Sequence, residues 1–510
     1  MRYVLLAEEM KYCDNYTIEK IGIPSLLLME RAAMEMAAEI TLRKGQKSRV
    51  LIFAGVGNNG GDAFAVGRLL AQKEYSVTFY LVGDRNKASK ETNLQITILE
   101  NLGFSIHDNF PKGEYDIIID GLFGIGLSRE ICGIYREAIL KVNELHQNGA
   151  YVASADIPSG ICADTGKVLG CAVQADLTVT FAYAKAGHYF YPGREYTGEL
   201  VIRSIGICGK AFDDKEVFYH TADKEMLQDM LPERKSDGNK GSFGKVLVFA
   251  GNEEMCGAAI LCARAVFASG GGMVKIMTPK QNRVVLQKVL PEAMIYTYED
   301  VPDEMTVQEA YAWADVIVAG PGIGQSMQAK RSLMLLLSLG RKPVVIDADG
   351  LNLIATEEEL QKMVCAYEKG QIIMTPHPGE LARLAGKTIS ECKENKREAV
   401  KEISKHFGCV VAGKDAVTLV ANPACETVFL NYAGNDGMAV AGSGDVLAGI
   451  IGGFLAQGTT GFEAACLGVF VHALAGDEAA ERKSRYGMMP TDILECLDDV
   501  LKEAEGKRSL

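Results

Sequence analysis

The residues best placed to do chemistry gather at glycine-rich turns. The stretch Gly434-Asn435-Asp436-Gly437-Met438-Ala439-Val440-Ala441-Gly442-Ser443-Gly444-Asp445 runs straight into an apolar helical pattern, Val446, Leu447, Ile450, Ile451, Phe454 and Leu455. Glycines let backbone N–H groups face a ligand, the helix start adds the positive end of its dipole, and the carboxylate of Asp445 can accept a proton. That combination fits a phosphate-bearing substrate meeting a base. Earlier in the chain, Asn58-Asn59-Gly60-Gly61-Asp62 follows Gly55-Val56-Gly57, Asp120 and Asp156 each end an apolar run, and Ser159 follows in Ile157-Pro158-Ser159-Gly160. Oxygen-only side chains of this kind suit a hard cation. Taken singly, an acid at a strand end is a turn former or helix cap; three such loops in register favour a site. Lys185, in Thr180-Phe181-Ala182-Tyr183-Ala184-Lys185-Ala186-Gly187, lends charge or a proton if it faces that site and is otherwise a solvated strand-end lysine. His377, fixed between Pro376 and Pro378, is read as a ligand contact rather than a rigid turn residue, and Lys414 as a cation for phosphate rather than a surface charge. Met438 and Phe454 are read as core.

Positioning these groups requires parallel strands whose C-terminal ends share one edge. In the first half, a helical pattern covers Thr17 to Ile40 with Pro24-Ser25 as a restart, Arg49 to Ala54 makes a buried strand, and a helix follows from about Ala63 to Gln72. Gly55, Gly57 and Gly60 satisfy G-x-G-x-x-G in this strand–turn–helix context, and Asp84 closes the next strand, Val77 to Val82. A dinucleotide fingerprint and a plain tight turn fit equally, while Asn58, Asn59 and Asp62 argue for a polar or metal-ion function as well. Strands Tyr115 to Asp120 and Tyr151 to Asp156 follow, and loops after parallel strands would bring Asn59, Asp120, Asp156 and Ser159 to one crevice. Glu199 to Ile207 reads as a closing strand and the polar stretch Gly209 to Lys215 as a linker.

A second series opens at Gly244 to Gly251. Its strands lead in turn to Gly320-Pro321-Gly322-Ile323-Gly324, to Asp347-Ala348-Asp349-Gly350-Leu351-Asn352, to Thr375-Pro376-His377-Pro378-Gly379-Glu380 and to Gly413-Lys414-Asp415-Ala416-Val417-Thr418. Short apolar strands alternating with helices predict a parallel sheet covered on both faces. Neither Lys240-Gly241-Ser242-Phe243-Gly244-Lys245 nor Ala385-Gly386-Lys387-Thr388 keeps the spacing of a P-loop.

The chain's 510 residues exceed one ordinary core, and two domains are expected. A net charge of −13 without a Lys/Arg stripe argues against a nucleic-acid partner. The 13 cysteines are an odd number without a C-x-x-C pair, and Cys256, Cys262, Cys409 and Cys466 lie singly in apolar runs, as small core residues in a reducing cytoplasm do. The apolar run after Met1 is too short for a signal peptide, and Gly437 to Gly458 carries Asp445, so neither secretion nor membrane attachment is expected.

Leu28-Met29-Glu30-Arg31-Ala32-Ala33, Asn58 to Asp62, Gly121-Leu122-Phe123-Gly124-Ile125-Gly126-Leu127 and Asp156 to Gly160 with Ala163-Asp164-Thr165-Gly166 resemble the NAD(P)H-hydrate epimerase family. The resemblance covers about residues 1 to 210. It implies that Asn58, Asn59, Gly60, Gly61, Asp62, Gly124, Ile125, Gly126, Leu127, Ser128, Arg129, Glu130, Tyr135 and Asp156 hold the substrate nucleotide, and that Asn59, Asp120 and Ser159 bind a potassium ion. Ala63 departs from the family, which often has a further glycine there. A hydrated nicotinamide carries its hydroxyl on the ring carbon beside nitrogen, so C–O cleavage is assisted by the nitrogen lone pair and inversion needs only an acid–base pair. Asp156 is the candidate, with Lys185 beside it.

The later loops, with Lys240 to Lys245, Gly442-Ser443-Gly444-Asp445 and Gly468-Val469-Phe470-Val471-His472-Ala473-Leu474-Ala475-Gly476, resemble the ADP- or ATP-dependent NAD(P)H-hydrate dehydratase family over about residues 225 to 500. By that resemblance Ala258, Gly322, His377 and Asp445 contact the hydrate. Lys414, Asp415, Ala416, Val417, Thr418 and Gly444 hold ADP or ATP, with Mg2+ on its phosphates. Asp415 replaces a common glycine, and Met489-Pro490-Thr491-Asp492 is a variant of the family's late loop. The implied architecture is α/β throughout: an N-terminal Rossmann-like three-layer domain over 1–212, then a ribokinase-like α/β/α domain over 225–505. The implied function is repair of hydrated NADH and NADPH, by epimerisation of the R and S hydrates and nucleotide-driven dehydration of the S form. The chain is expected to act in the cytoplasm as a homo-oligomer. Three rivals stand beside this: a small-molecule kinase with an N-terminal nucleotide-binding module, which leaves a stable phosphorylated product; a first half that only binds; and an NAD-dependent dehydrogenase resting on Gly55, Gly57 and Gly60.

Overall fold

The computed structural model describes residues 1–45, 47–213 and 215–506. The chain divides into two compact units, one of residues Tyr3–Tyr219 and one of His220–Leu510 with Met1–Arg2.

The first unit is built on strands β1 (Arg2–Leu5), β2 (Arg49–Ala54), β3 (Ser76–Leu81), β4 (Ile106–His107), β5 (Ile117–Gly121), β6 (Tyr151–Ala155), β7 (Leu177–Phe181), β8 (Ala184–Lys185) and β9 (Glu199–Arg203). Seven of these form a parallel sheet in the order β4-β3-β2-β5-β6-β7-β9. β1 pairs separately with β8, Val4 opposite Ala184. Successive side chains of a strand point to opposite faces, and here both faces are covered. Val50, Ile52 and Ala54 join a core with Leu28, Met36 and Phe64, while Leu51 and Phe53 join another with Ile118, Ile139 and Val152. This is the expected three-layer arrangement.

Several boundaries differ from the sequence reading, each for a local reason. The helical pattern at Thr17 is preceded by a helix, Ala7–Asn15, whose start carries no Ser, Thr, Asp or Asn; there the Glu9 carboxylate accepts the Leu6 N–H at 2.7 Å instead. That helix runs into a π-helical turn, Tyr16–Ile21, ended by left-handed Gly22, and the chain restarts at Ser25 as expected. The helix placed from Ala63 begins at Asn58, so the polar turn is its first turn. Strand Glu199–Arg203 is shorter than read. Gly209 to Lys215 is not a free linker. Gly209–Phe212 is a short helical turn with Ala211 and Phe212 buried, Phe212 lying 5.2 Å from Tyr3 between ring centres; Asp214 lies outside the described residues.

Gly60 needs its lack of a side chain, because a Cβ there would lie 1.8 Å from the Gly55 carbonyl oxygen. Gly60→Ala is expected to cost about 1–3 kcal/mol, the range of overpacking in a closed site, seen as a lower midpoint in urea. An unchanged midpoint would show that the turn yields freely.

The second unit carries β10 (Tyr219–Thr221), β11 (Lys245–Phe249), β12 (Met273–Pro279), β13 (Met294–Tyr298), β14 (Val316–Ala319), β15 (Val344–Ile346), β16 (Ile372–Met374), β17 (Val410–Gly413), β18 (Thr418–Ala421) and β19 (Val428–Asn431). From β13 the order is β13-β12-β11-β14-β15-β16-β17, all parallel, continued by the antiparallel strands β18 and β19. That hairpin lies beyond the sequence reading. One face is covered by the helices Cys256–Ala268, Ser443–Ala456 and Gly461–Arg482. The first two touch closely through small residues: a Cβ on Gly449 would meet the Cys262 carbonyl at 2.2 Å, and one on Gly453 the Ser269 hydroxyl at 2.0 Å. Phe454 is core as expected, and Met438 seats its sulfur between Gly434 and Gly476.

Candidate active sites

The strand ends of the first unit's sheet open onto a cavity of about 760 Å³. Its wall contains Asn58, Asn59, Asp62, Gly124, Ile125, Gly126, Leu127, Ser128, Arg129, Tyr135, Asp156 and Lys185. Three of the residues expected to hold the nucleotide are not in the wall. Gly60 and Gly61 turn towards packing, against Gly55 and against Met29 and Thr92, because the helix start must approach the strand turn and its neighbours closely. Glu130 is exposed, past the end of the lining loop.

Asp156 leaves β6 in the left-handed region at φ 67°, a conformation unusual for a residue other than glycine and one that aims its side chain away from the strand line. Its Oδ1 accepts from the Thr180 hydroxyl at 3.0 Å and pairs with the Lys185 ammonium. Lys185 is only 1% exposed and also donates to Thr180 Oγ1 at 2.9 Å, so the solvated-lysine reading fails. Burial alone would raise the Asp156 carboxyl, but the charge and hydrogen bond of Lys185 outweigh it and hold the group below its usual range. Behind the pair, His188 Nδ1 accepts the Lys185 backbone N–H at 3.0 Å, which leaves Nε2 to donate to the Asp156 carbonyl at 2.9 Å. Burial, with Lys185 nearby, pushes His188 down to about 4, so the ring is a neutral brace at physiological pH. Two further acids share the cavity. Burial, opposed by Lys185 and reinforced by Asp156, pushes Asp14 up to about 6; burial with Asp156 and Asp14 pushes Asp62 well above the carboxylate range.

Asp120 and Ser159 lie under the cavity rather than in its wall, both buried. Asp120 accepts from the Ser159 hydroxyl (2.6 Å), the Ser159 N–H (2.9 Å) and the Ser154 hydroxyl (2.8 Å). Ser159 Oγ lies 3.2 Å from the Phe123 carbonyl, to which Asn59 Nδ2 also donates at 2.9 Å. Asn59, Asp120 and Ser159 are thus brought together around one carbonyl. Among the described residues Asp120 has no Lys or Arg ion-pair partner, and burial raises it despite the hydrogen bonds it accepts.

In the second unit, Gly442 (φ 96°) turns the chain into the helix Ser443–Ala456. The Ser443 N–H is taken by the Val440 carbonyl, while those of Gly444 and Asp445 find no backbone acceptor among the described residues at this helix start and remain open to a ligand. Lys414 Nζ lies 2.8 Å from Asp347 Oδ1, and both border Gly444: a Cβ there would stand 3.0 Å from Lys414 Nζ and 3.2 Å from Asp347 Oδ2. Burial, then the charge of Asp347, pushes Asp445 up to about 7, with Lys414 opposing and Asp349 adding to the rise. Ala348, between those two acids, is left-handed at φ 51°, and Asp349 holds the glycine loop through the Gly324 N–H at 2.9 Å. Gly322 faces Ala258 closely, a Cβ meeting that of Ala258 at 2.9 Å.

His377 caps the helix Pro378–Ala385, its Nδ1 accepting the Gly379 N–H at 3.0 Å and its Nε2 lying 3.2 Å from Glu380 Oε1. The ring is 49% exposed and so open to a ligand while serving as a cap. Of the Lys414–Thr418 loop, Asp415 and Ala416 are exposed, whereas Val417 and Thr418 are buried where β18 begins. Asp415 faces Lys396 at 3.5 Å, and Lys396 also donates to the Val417 carbonyl, so the acid that replaces glycine arrives with its own counter-charge.

Four residues that matter here escaped the sequence reading. Asp14 sits on a helix without a cap signal, Asp347 read only as part of a strand junction, and His188 and His472 look like ordinary core histidines. His472 is buried, with Nε2 3.4 Å from the Ser443 hydroxyl.

Residues 246–499 match the family model described as NAD(P)H-hydrate dehydratase, and residues 25–187 match that of the YjeF-related protein N-terminus. The chain is 32% identical to the bifunctional NAD(P)H-hydrate repair enzyme Nnr of Moorella thermoacetica, over 99% of this chain and 97% of that protein. It is 35% identical to the protein of the same name from Coxiella burnetii, over 95% and 96%. A solved ribokinase-like superfamily protein from Enterococcus faecalis is 30% identical, with a TM-score of 0.51, covering 56% of this chain and 96% of its own.

Proposed function

The chain belongs to the bifunctional NAD(P)H-hydrate repair enzymes, and from that premise we propose how its residues divide the work. The enzyme epimerises hydrated NADH and NADPH and dehydrates the hydrate back to the reduced nucleotide. The finer assignment gives epimerisation to the first unit, residues 1–212, and dehydration to the ribokinase-like unit, 225–505. Charge arrangement supports it most directly: a carboxylate near neutrality, Asp445, at a glycine-turned helix start beside a lysine, Lys414.

In the second unit the co-substrate is ADP or ATP, its phosphates meeting Lys414 and the helix start, with Mg2+ as their counter-ion. Lys414, Asp415, Ala416, Val417, Thr418 and Gly444 form the nucleotide side of the site; Ala258, Gly322 and His377 form the hydrate side. Asp445 removes the hydroxyl proton as the terminal phosphoryl group passes to the hydrate's oxygen, and the N–H groups of Gly444 and Asp445 stabilise the charge that develops. The ring nitrogen expels phosphate, and loss of a proton from the adjoining ring carbon restores the dihydropyridine. Hydroxide, a poor leaving group, has been exchanged for phosphate.

In the first unit the cavity wall, Asn58, Asn59 and Asp62 with Gly124 to Arg129 and Tyr135, holds the hydrated nucleotide, and Asp156 with Lys185 handles the proton at its hydroxyl-bearing carbon. Asn59, Asp120 and Ser159, with the Phe123 carbonyl, suit a potassium ion. The donors are oxygens, and a buried carboxylate without a basic ion-pair partner among the described residues is balanced by a cation. The ion would supply that charge compensation. All thirteen cysteines are free, as the cytoplasm would keep them, and no helix among the described residues is long and apolar enough to cross a membrane. A homo-oligomer is the assembly we favour.

The test incubates a mixture of R and S hydrates with each nucleotide and follows absorbance of the reduced nicotinamide. Full recovery is expected in potassium buffer; with tetramethylammonium in its place, the S share should recover and the R share stall. No recovery with either nucleotide would overturn the dehydratase assignment, and a stable phosphorylated product would mark a kinase instead. Unchanged recovery of the R share would remove the potassium site.

A further inference from the structure

Inversion at the hydroxyl-bearing carbon needs one proton delivered to the departing oxygen and one taken from the incoming water. Asp156 can be only one of these partners at a time. Resting on the assignment of epimerisation to the first unit, we propose that Asp14 is the second acid–base group of the epimerase, exchanging protons with the hydrate opposite Asp156.

Asp14 closes the helix Ala7–Asn15, just before the π-helical turn Tyr16–Ile21, and stands in the wall of the same cavity as Asp156 and Lys185. It is half-buried, and its carboxylate makes no hydrogen bond to protein among the described residues. Asp156 is committed to Lys185 and Thr180, Asp120 to Ser159 and Ser154, and Glu91 accepts from Ser25. Asp14 and Asp62 are the carboxylates of the wall left without a hydrogen bond to protein among the described residues, and a walled-in carboxylate of this kind is able to meet a substrate proton. The charged groups sharing its wall are Lys11, Asp62, Glu91, Arg129, Asp156 and Lys185. Burial, opposed by Lys185 and reinforced by Asp156, brings Asp14 to about 6, where it gains and loses a proton near neutral pH, while burial with Asp156 and Asp14 pushes Asp62 well above its usual range.

The exchange balances. As the C–O bond breaks, the ring nitrogen's lone pair forms the C=N bond and the hydroxyl leaves as water with the proton of Asp14. A water then bonds to the other face of the carbon, the C=N electrons return to nitrogen, and the proton released passes to Asp156. Starting from the opposite epimer the two carboxylates exchange roles, and proton return through the cavity's water resets the site. One water leaves and one enters, with no change of oxidation state.

The experiment uses the full chain and pure R hydrate, with nucleotide-dependent dehydration of the S hydrate as an internal control for folding. Asp14→Asn is expected to lower kcat for epimerisation about 10²–10⁴-fold, to leave KM for the hydrate within about twofold as an interaction made only in the transition state does, and to remove the limb near pH 6 from the rate profile. Asp14→Glu should restore part of the rate, and Asp62→Asn should keep the limb. A wild-type rate and profile in Asp14→Asn, loss confined to KM, or disappearance of the limb in Asp62→Asn would overturn the proposal. Failure of the wild-type chain to interconvert the epimers would overturn instead the assignment on which it rests.

Discussion

Asp445→Asn is expected to lower nucleotide-dependent dehydration about 10²–10⁴-fold, the contribution of a positioned general base, while R and S hydrates still interconvert. Asparagine keeps the size and the hydrogen-bonding reach of the side chain but cannot accept the hydroxyl proton. The pH profile gives the same residue a second signature. Burial and the charge of Asp347, with Asp349 adding and Lys414 opposing, bring Asp445 to about 7, and only its ionised form is a base. The wild-type rate should therefore be highest above pH 7 and fall as pH drops through that value, and the residual rate of the asparagine variant should lack the fall. A variant within a few-fold of wild type, or one that keeps the acid limb, would remove Asp445 from the role of base.

Lys185→Met should abolish most epimerisation, about 10²–10³-fold, and leave dehydration of the S hydrate intact. The lysine is almost wholly buried and is the counter-charge of Asp156. Methionine fills the space but leaves a buried carboxylate unpaired, which takes up a proton and ceases to be a base at neutral pH. Breaking such a pair from one side typically costs about 3–5 kcal/mol, so the first unit should also unfold at lower urea. The sign of the linkage is fixed by direction: Asp156 is held below its unfolded value, so the stabilisation is present at neutral pH and is lost as pH falls through the folded value. The wild type should thus lose more stability on acidification than Lys185→Met. Equal acid sensitivity, with epimerisation retained, would leave Lys185 a packing residue.

Much of this was legible in the residues because parallel strands buried on both faces read as short runs of Val, Ile and Ala bounded by glycine, as at Arg49–Ala54 and Val316–Ala319. Strand ends announce their loops, so Asp120, Asp156, Lys414 and Asp445 could be placed on an edge. What could not be read is which distant residue meets which. Lys185 stands 29 positions from Asp156 and pairs with it only because the chain turns back after β7 through left-handed Ala182. Asp14 was hidden for another reason: its helix starts on a backbone and Glu9 contact instead of a conventional cap, and nothing in its periodicity marks one acid as facing a cavity. The hairpin of β18 and β19 was missed because no glycine marks the turn between its runs: Asn422 to Thr427 contains none. Gly60 and Gly61 show the converse, glycines of a motif read for its ligand that here serve close packing.

The Asp347–Lys414 pair has a consequence for the proposed nucleotide site. If Lys414 receives a phosphate as proposed, it does so while already paired with a buried carboxylate 2.8 Å away, and the attraction for the nucleotide is weakened by that competition. On release of the phosphate the lysine keeps a counter-charge, so the empty site does not hold an unpaired buried Asp347.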